Sequence, residues 1–327
     1  MERLDDLFDK VQSSQISTGF KSLDKILDGG FSKGLYILGA MPAIGKTSLV
    51  LQIASNIAEA GKDVLIFSLL QSARELLAKI LSRFTYENNK DSALNAIEIW
   101  HNQLADNEIK KIEQKINREE AIKRLKNIAD RIFISTDDNT INDIRERIKE
   151  HIKITGNIPF VIIDYIQAIN PLDYGITDKQ ITDKNIIGLK HISNIFNCVI
   201  LGISSINRSS YEEEISSTSF KESGMIECLS DVLMGLQYRE FERRDFETNI
   251  EYNKRKCLFY KELEKISSKG DFVPLQLKIL KNRYGITGKF DIFFKPPYSY
   301  FTEDENETIK WGTVIPSPKK RGRKSKK

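Results

Sequence analysis

Cysteine is scarce in this chain. The three cysteines among 327 residues, Cys198, Cys228 and Cys257, are far apart, odd in number and without CxxC spacing. That excludes a disulfide framework and a zinc knuckle, and fits a reducing cytosol. Long apolar runs are missing too: none approaches the roughly 18 residues of a membrane span. The opening Met1-Glu-Arg-Leu-Asp-Asp-Leu-Phe8 is too acidic and polar for a secretory signal. The expected location is therefore cytoplasmic, with no membrane partner. Histidine is equally sparse. His101, His151 and His191 lack metal-ligand spacing and read as structural or exposed. A charge of one sign is also missing from most of the chain. Lys and Arg number 50 against 46 Asp and Glu, a net of +4. Seven of those basic side chains fall in residues 319–327, and without them 43 basic face 46 acidic groups, a net of −3. The tail from 316 cannot bury apolar surface and is expected to be disordered. It reads equally as a phosphate-attracting handle and as a solubilising end. The case for a nucleic-acid partner has to come from elsewhere.

Alternating strand and helix patterns fill the body, which predicts an α/β sheet. Leu35-Tyr-Ile-Leu38, Val64-Leu-Ile-Phe67, Ile132-Phe-Ile134, Phe160-Val-Ile-Ile163 and Val199-Ile-Leu201 are continuous apolar runs, the signature of strands buried on both faces. A helix is predicted from Thr47, with Leu49, Val50, Ile53, Ala54, Ile57 and Ala58 on one face and Gly61 as its stop. Leu275–Leu280 and Lys289–Phe294 alternate around Tyr284-Gly-Ile-Thr-Gly288 and predict a late antiparallel hairpin. Residues 106–130 and 239–270 are charged and read as solvated surface. Tyr298, Tyr300 and Phe301 read as core more readily than as a base-stacking platform. Leu4, Leu7, Phe8 and Val11 share a helical face ahead of the sheet, which predicts a short amphipathic linker helix over 1–14.

The strongest motif is Ala40-Met-Pro-Ala-Ile-Gly-Lys-Thr47. It is a P-loop with Ala in place of the first Gly, set between a predicted strand and a predicted helix. Backbone N–H groups of Ala40, Pro42–Gly45 (the proline excepted, since it has none) and Lys46–Ser48 would surround phosphate oxygens at the positive helix end. Lys46 would reach the β- and γ-phosphates, and Thr47 would ligate Mg²⁺. Asp164 ends the apolar run Phe160–Ile163, where ligands bind in open α/β sheets. It is the second candidate metal ligand, with a helix cap as the alternative reading. ATP and Mg²⁺ are the implied ligands.

Ordered segments beyond the loop carry a resemblance. Thr18-Gly-Phe-Lys-Ser-Leu-Asp24, Ala40–Thr47, Val64-Leu-Ile-Phe-Ser-Leu69, Ile163-Asp-Tyr-Ile-Gln167, Ser204-Ser-Ile-Asn-Arg208, Phe220-Lys-Glu-Ser-Gly224 and Lys281-Asn-Arg-Tyr-Gly285 together resemble the RecA-like C-terminal motor domain of DnaB-type replicative helicases. RecA, RadA and KaiC-like ATPases share only the first two segments. The resemblance covers residues 15–302 and leaves 303–327 as a C-terminal extension. It implies a mostly parallel RecA-like sheet flanked by helices. It also implies a ring with ATP at each subunit interface, single-stranded DNA in the pore, and hydrolysis driving translocation during replication. The ring would be homo-oligomeric or mixed with another DnaB-type helicase. Lys281 and Arg283 would act in trans on a neighbour's γ-phosphate, Arg283 as arginine finger; the competing reading is an ordinary charged hairpin. Lys221, Glu222 and Gly224 would line the pore and hold DNA phosphate, with Lys221 where the family usually has Arg.

Three departures bear on activity. The family places a catalytic Glu after Phe-Ser-Leu; here that position is Leu70, which can neither accept a proton nor orient water. Loss of such a base typically costs about 10²–10⁴ in rate. Gln71 is adjacent and Gln can orient water, but a one-residue step along a strand points it to the other face. Glu75 lies further on, in a predicted helix. A Gln that senses γ-phosphate in the family is here Ser205. No counterpart of the family's amino-terminal domain is expected ahead of Leu4–Val11, and Tyr211-Glu-Glu-Glu214 is acidic near the expected pore. The resemblance therefore implies an active helicase motor. The alternative is an ATP-binding, hydrolysis-deficient paralogue that docks on DNA or on a helicase. A RecA/KaiC-like ATPase with another task is the third reading.

Overall fold

The continuous apolar runs form five adjacent strands of a single sheet, but the run at Ile132–Ile134 is its half-buried edge and not a strand buried on both faces. The structure, a computed structural model, describes residues 15–304 apart from 173–174, 212, 221–222 and 240–246. The expected linker helix over 1–14, Lys221, Glu222 and the tail at 316–327 lie outside the described residues. In chain order the strands are β1 (Gly34–Ala40), β2 (Val64–Ser68), β3 (Ile132–Ser135), β4 (Phe160–Asp164), β5 (Val199–Ser205), β6 (Val232–Tyr238), β7 (Val273–Asn282), β8 (Gly288–Lys295) and β9 (Tyr300–Thr302). The sheet order is β3-β2-β4-β5-β1-β6-β7-β8-β9. The first six are parallel. From β6 onward the pairing is antiparallel, so the predicted hairpin extends the sheet on one side of β1.

Alternation across the sheet explains the run composition. In β4, Phe160 and Ile162 enter one apolar cluster, and Val161 and Ile163 enter the other. In β1, Tyr36 and Leu38 face one side while Leu35 and Ile37 face the other. Both faces are dry, so neither set of positions tolerates a polar residue. The first face is covered by α2 (Lys46–Glu59) and α3 (Ala73–Asn88), the second by α6 (Ile141–Thr155) and α7 (Asp178–Phe196). The remaining helices are α1 (Lys21–Ile26), α4 (Ala96–His101), α5 (Glu108–Lys126), α8 (Ser223–Leu229) and α9 (Asn249–Ser268).

Helix starts are written in the sequence as capping boxes. Ser72 with Glu75 opens α3, Thr140 with Asp143 opens α6, and Thr177 with Gln180 opens α7. The predicted first-face helix runs Lys46–Glu59, and Gly61 follows it at φ 81°.

The charged stretch at 106–130 is a surface helix whose Ile122 and Leu125 pack on the core while its earlier isoleucines turn outward. Gln114, Asn117 and Ala121 are buried, whereas Ile109, Ile112 and Ile116 are exposed. Asn117 explains the inversion: its Nδ2 donates to the carbonyls of Thr85 and Asn89 at the end of α3 and to Ser92 Oγ. A second structural hub sits at the amino ends of the strands. Buried Asp63 accepts from Arg131 at 2.9 Å and Asn157 at 3.0 Å, and lies 3.1 Å from His151. Burial alone would raise its pKa, but these three partners outweigh burial and hold it below the usual carboxylate range. His151 is thus structural, as its spacing implied. Tyr298 stacks on Tyr86, and Phe301 is buried against Phe294, so the closing aromatics are core.

Candidate functional site

β1 ends at Ala40 and the chain turns over residues 41–45 into α2. Ala43 at φ 63° and Gly45 at φ 100° let the loop curl so that its N–H groups converge. Ile44 is buried and anchors the loop in the core, while Pro42 and Ala43 are exposed at its crown. Gly45 is required twice over. Its φ is left-handed, and a Cβ there would lie 2.8 Å from Phe294 Cε1 and 3.0 Å from Phe301 Cζ. Those two rings are stacked at 4.4 Å, so the late strands form the floor of the loop. Gln52 locks the floor in place by exchanging two hydrogen bonds with the Phe301 main chain, at 2.9 and 2.8 Å.

Gly45 caps α2 without a side-chain hydrogen bond. The first-turn N–H groups of α2 therefore remain available to an anion. Lys46 Nζ donates to the Ala40 and Met41 carbonyls at 2.9 and 2.8 Å. Burial lowers its pKa to about 8, with Asp164 opposing the shift. Thr47 Oγ1 donates to Asp164 Oδ2 at 2.7 Å. Asp164 is thereby paired with the loop and is not a helix cap. Burial raises its pKa, against the Thr47 hydrogen bond and the charges of Lys79 and Lys46. Uncapped amides, a mobile-length cation and a hydroxyl–carboxylate pair fit a nucleoside triphosphate with a divalent metal. Ser48 is buried behind them.

The turn after β2 departs from its expected geometry. β2 ends at Ser68, so the alternation that would send Gln71 to the opposite face does not extend to it. Leu70 is 69% exposed. Gln71 Oε1 instead accepts from Lys79 Nζ at 2.7 Å. Burial lowers the Lys79 pKa, opposed by Asp164 and Glu75. Glu75 is occupied in capping, since its carboxylate accepts from the Ser72 N–H and hydroxyl. Lys79 was not among the candidates read from the sequence. Its signal was the Glu75–Lys79 spacing, one helical turn, on a helix that starts just after the end of β2.

Ser205 pairs in register with Ala40 and so stands at the height of the loop. Gln167 binds this pair of serines: its Nε2 donates to Ser204 Oγ at 2.8 Å, and the Ser205 N–H donates to its Oε1 at 3.4 Å. The acidic segment beyond is held at Glu214. Glu214 pairs with Lys278, a buried lysine of β7, and the Ile215 N–H donates to Gln237 Oε1 at 2.8 Å. One of its carboxylates is thus neutralised by the sheet.

Lys281 and Arg283 sit elsewhere. Lys281 pairs with Leu233 and Asn282 with Val232, at the amino end of a strand whose Leu236 pairs with Ala40. The Arg283 N–H donates to the Asp231 carbonyl at 2.9 Å. Five residues along β6 separate that level from Leu236, roughly 17 Å at about 3.3 Å per residue. Arg283 Nη1 contacts Asp231 Oδ1 at 3.1 Å, and Lys190 Nζ holds the other oxygen at 2.5 Å. Asp231, another residue missed from the sequence, is buried and also accepts the Leu35 N–H. Lys281 Nζ donates to the Glu227 and Cys228 carbonyls at 2.6 and 3.1 Å, near the end of α8. Burial and neighbouring Arg283 lower its pKa. Gly224, in the first turn of α8, has open space around it.

A P-loop at the carboxyl ends of a six-strand parallel array, with Asp164 on the second strand over from β1, defines a RecA-like P-loop ATPase fold. The family described as DnaB-like helicase C terminal domain matches residues 15–303, and the chain belongs to that family. It is similar to the replicative DNA helicase DnaB of Mycoplasma genitalium, 26% identical over 297 residues, covering 88% of this chain and 56% of that protein. It is also similar to DnaB of Geobacillus stearothermophilus, 27% identical over 238 residues, covering 71% and 49%. The chain thus spans about half the length of the curated relatives it matches. A solved DnaB-like replicative helicase, described with its interactions with primase, shares the fold at TM-score 0.70 and 20% identity. That likeness covers 91% of this chain and 65% of the other. No helix among the described residues is long and apolar enough to cross a membrane.

Proposed function

We propose that the chain is a ring-forming, ATP-dependent DNA helicase motor that moves on single-stranded DNA during replication, with residues 15–302 as the motor unit. The observation that carries this reading is the split of its chemistry between the two ends of the strands of one sheet. Lys46, Thr47 and Asp164 lie at the carboxyl ends of the parallel strands, and Arg283 lies roughly 17 Å below them at about 3.3 Å per residue. Arg283 cannot serve its own loop, whereas a neighbouring copy stacked head to tail would present it to the next site.

In that reading the amides of residues 43–48 and Lys46 bind the phosphates. Lys46 exchanges its carbonyl partners for phosphate oxygens and regains full protonation. Thr47 and Asp164 would hold Mg²⁺, which would supply charge neutralisation to the phosphates when bound. Arg283 stabilises transferring charge from the neighbour, an effect worth about 10³–10⁵ in rate for such groups. Lys281 grips the carbonyl end of α8, which has Gly224 in its first turn and follows Lys221 and Glu222 in the sequence. Nucleotide state at the interface is thereby linked to the segment assigned to DNA. The test is ATP turnover with and without single-stranded DNA, with mass measured in the presence of ATP. DNA-stimulated turnover that is lost in Lys46→Ala, together with a closed ring, is the expected result. Tight ATP binding with no turnover would instead favour the hydrolysis-deficient helicase- or DNA-binding module that Leu70 suggests.

A further inference from the structure

The position that carries the family's carboxylate holds Leu70, yet the turn around it is built with care. Ser68, the last residue of β2, pairs with Asp164. The Leu69 N–H donates to the Asp164 carbonyl at 2.9 Å. The chain therefore leaves the sheet directly beside the acid that binds Thr47. Ser68 Oγ then donates to the Gln71 carbonyl at 2.6 Å, which folds the turn back on itself. Lys79 closes it from α3 by holding Gln71 Oε1 at 2.7 Å. The Gln71 side chain is consequently drawn toward a lysine that lies within the field of Asp164, while Leu70 projects outward. Among the described residues, Gln71 Nε2 has no protein partner.

We propose that Gln71 orients the water that attacks ATP, and that Lys79 is the positioning residue that holds it. The inference rests on the reading that this chain hydrolyses ATP. A carboxamide oxygen has two acceptor sites and its nitrogen two donors. With one acceptor site on Lys79, the second can accept a water proton and turn a water lone pair to the phosphorus. The free Nε2 donors can reach a γ-phosphoryl oxygen, and a cation on the same amide strengthens them. No general base is needed. The water oxygen forms its bond to the γ-phosphorus as the bond to the β–γ bridging oxygen breaks. That electron pair leaves with ADP, and the water proton passes to a γ-phosphoryl oxygen, giving dihydrogen phosphate.

The test combines turnover with nucleotide binding. DNA-stimulated kcat, ADP affinity and affinity for ADP with aluminium fluoride are measured for the wild type, Gln71→Ala, Gln71→Glu, Lys79→Met and Lys79→Arg. Gln71→Ala is expected to lower kcat about 100-fold and to weaken the aluminium fluoride complex by more than 10-fold, with ADP affinity unchanged. Gln71→Glu restores a water-orienting acceptor and recovers turnover. Lys79→Met lowers kcat and Lys79→Arg recovers it. Unchanged kcat in Gln71→Ala with an active wild type overturns the inference and leaves the motor reading intact. Loss of ADP affinity or of thermal stability in step with kcat overturns it in favour of a merely structural turn. A wild type without turnover overturns both readings.

Discussion

Proton uptake on nucleotide binding follows from the buried position of Lys46. In the free protein burial holds its pKa near 8. Phosphate oxygens beside the ammonium restore a pKa well above that, because an adjacent anion favours the charged form. The sign is fixed. Above pH 8 the free protein has lost the Lys46 proton, so binding must take one up, and affinity falls as pH rises. For a pKa near 8 the neutral fraction is about a quarter at pH 7.5 and about nine-tenths at pH 9. The affinity for Mg·ADP should therefore drop about 8-fold across that window, or about 1.2 kcal/mol. Isothermal titration in two buffers of different ionisation enthalpy measures the uptake directly. Roughly three-quarters of a proton per site at pH 8.5 is expected, and Lys46→Ala should abolish it. A flat affinity with zero uptake would mean that Lys46 stays charged on the Ala40 and Met41 carbonyls, and the reasoning from burial would be wrong.

The structural supports give two more expectations. Asp63→Ala leaves Arg131 and His151 without their buried partner and should cost about 3 kcal/mol in denaturant unfolding. Since the Asp63 pKa is depressed in the fold, its contribution is present above the unfolded value and is lost as pH falls through the folded one. Asp63→Asn should accordingly flatten acid destabilisation below about pH 4; an acid limb identical to wild type would contradict this. Gly45→Ala should lower stability by about 1–3 kcal/mol and abolish nucleotide binding, because the new methyl meets Phe294 and Phe301. Normal binding in that variant would mean the floor yields.

Much of the fold was legible because burial on both faces leaves unbroken apolar runs, and the runs at Val64–Phe67 and Phe160–Ile163 became interior strands. The P-loop was legible because its chemistry is local: eight consecutive residues supply the loop, the cation and the hydroxyl. Asp164 needed only its place at a strand end. What could not be read was set by tertiary contact. Lys79 reaches Gln71 only because β2 stops at Ser68, and a strand end is a boundary that periodicity does not fix. Asp231 gains its role from Lys190 and Arg283, 41 and 52 residues away in the chain. The outward isoleucines of α5 defeated the usual apolar-in rule because Asn117 satisfies carbonyls at the end of α3. The placement of Arg283 away from its own loop was implied by resemblance alone, and the antiparallel turn of β7 supplies the physical reason for it.

Subunit complementation tests that placement most directly. Lys46→Ala has a dead loop but an intact Arg283, and Arg283→Ala has the reverse. Each alone should be inactive in DNA-stimulated ATP turnover. Mixed in equal amounts, about a quarter of interfaces in a head-to-tail ring pair an intact loop with an intact arginine, and turnover should return to about that fraction of wild type. Two inactive variants that stay inactive when mixed, in rings shown by mass to contain both, would contradict a site completed in trans.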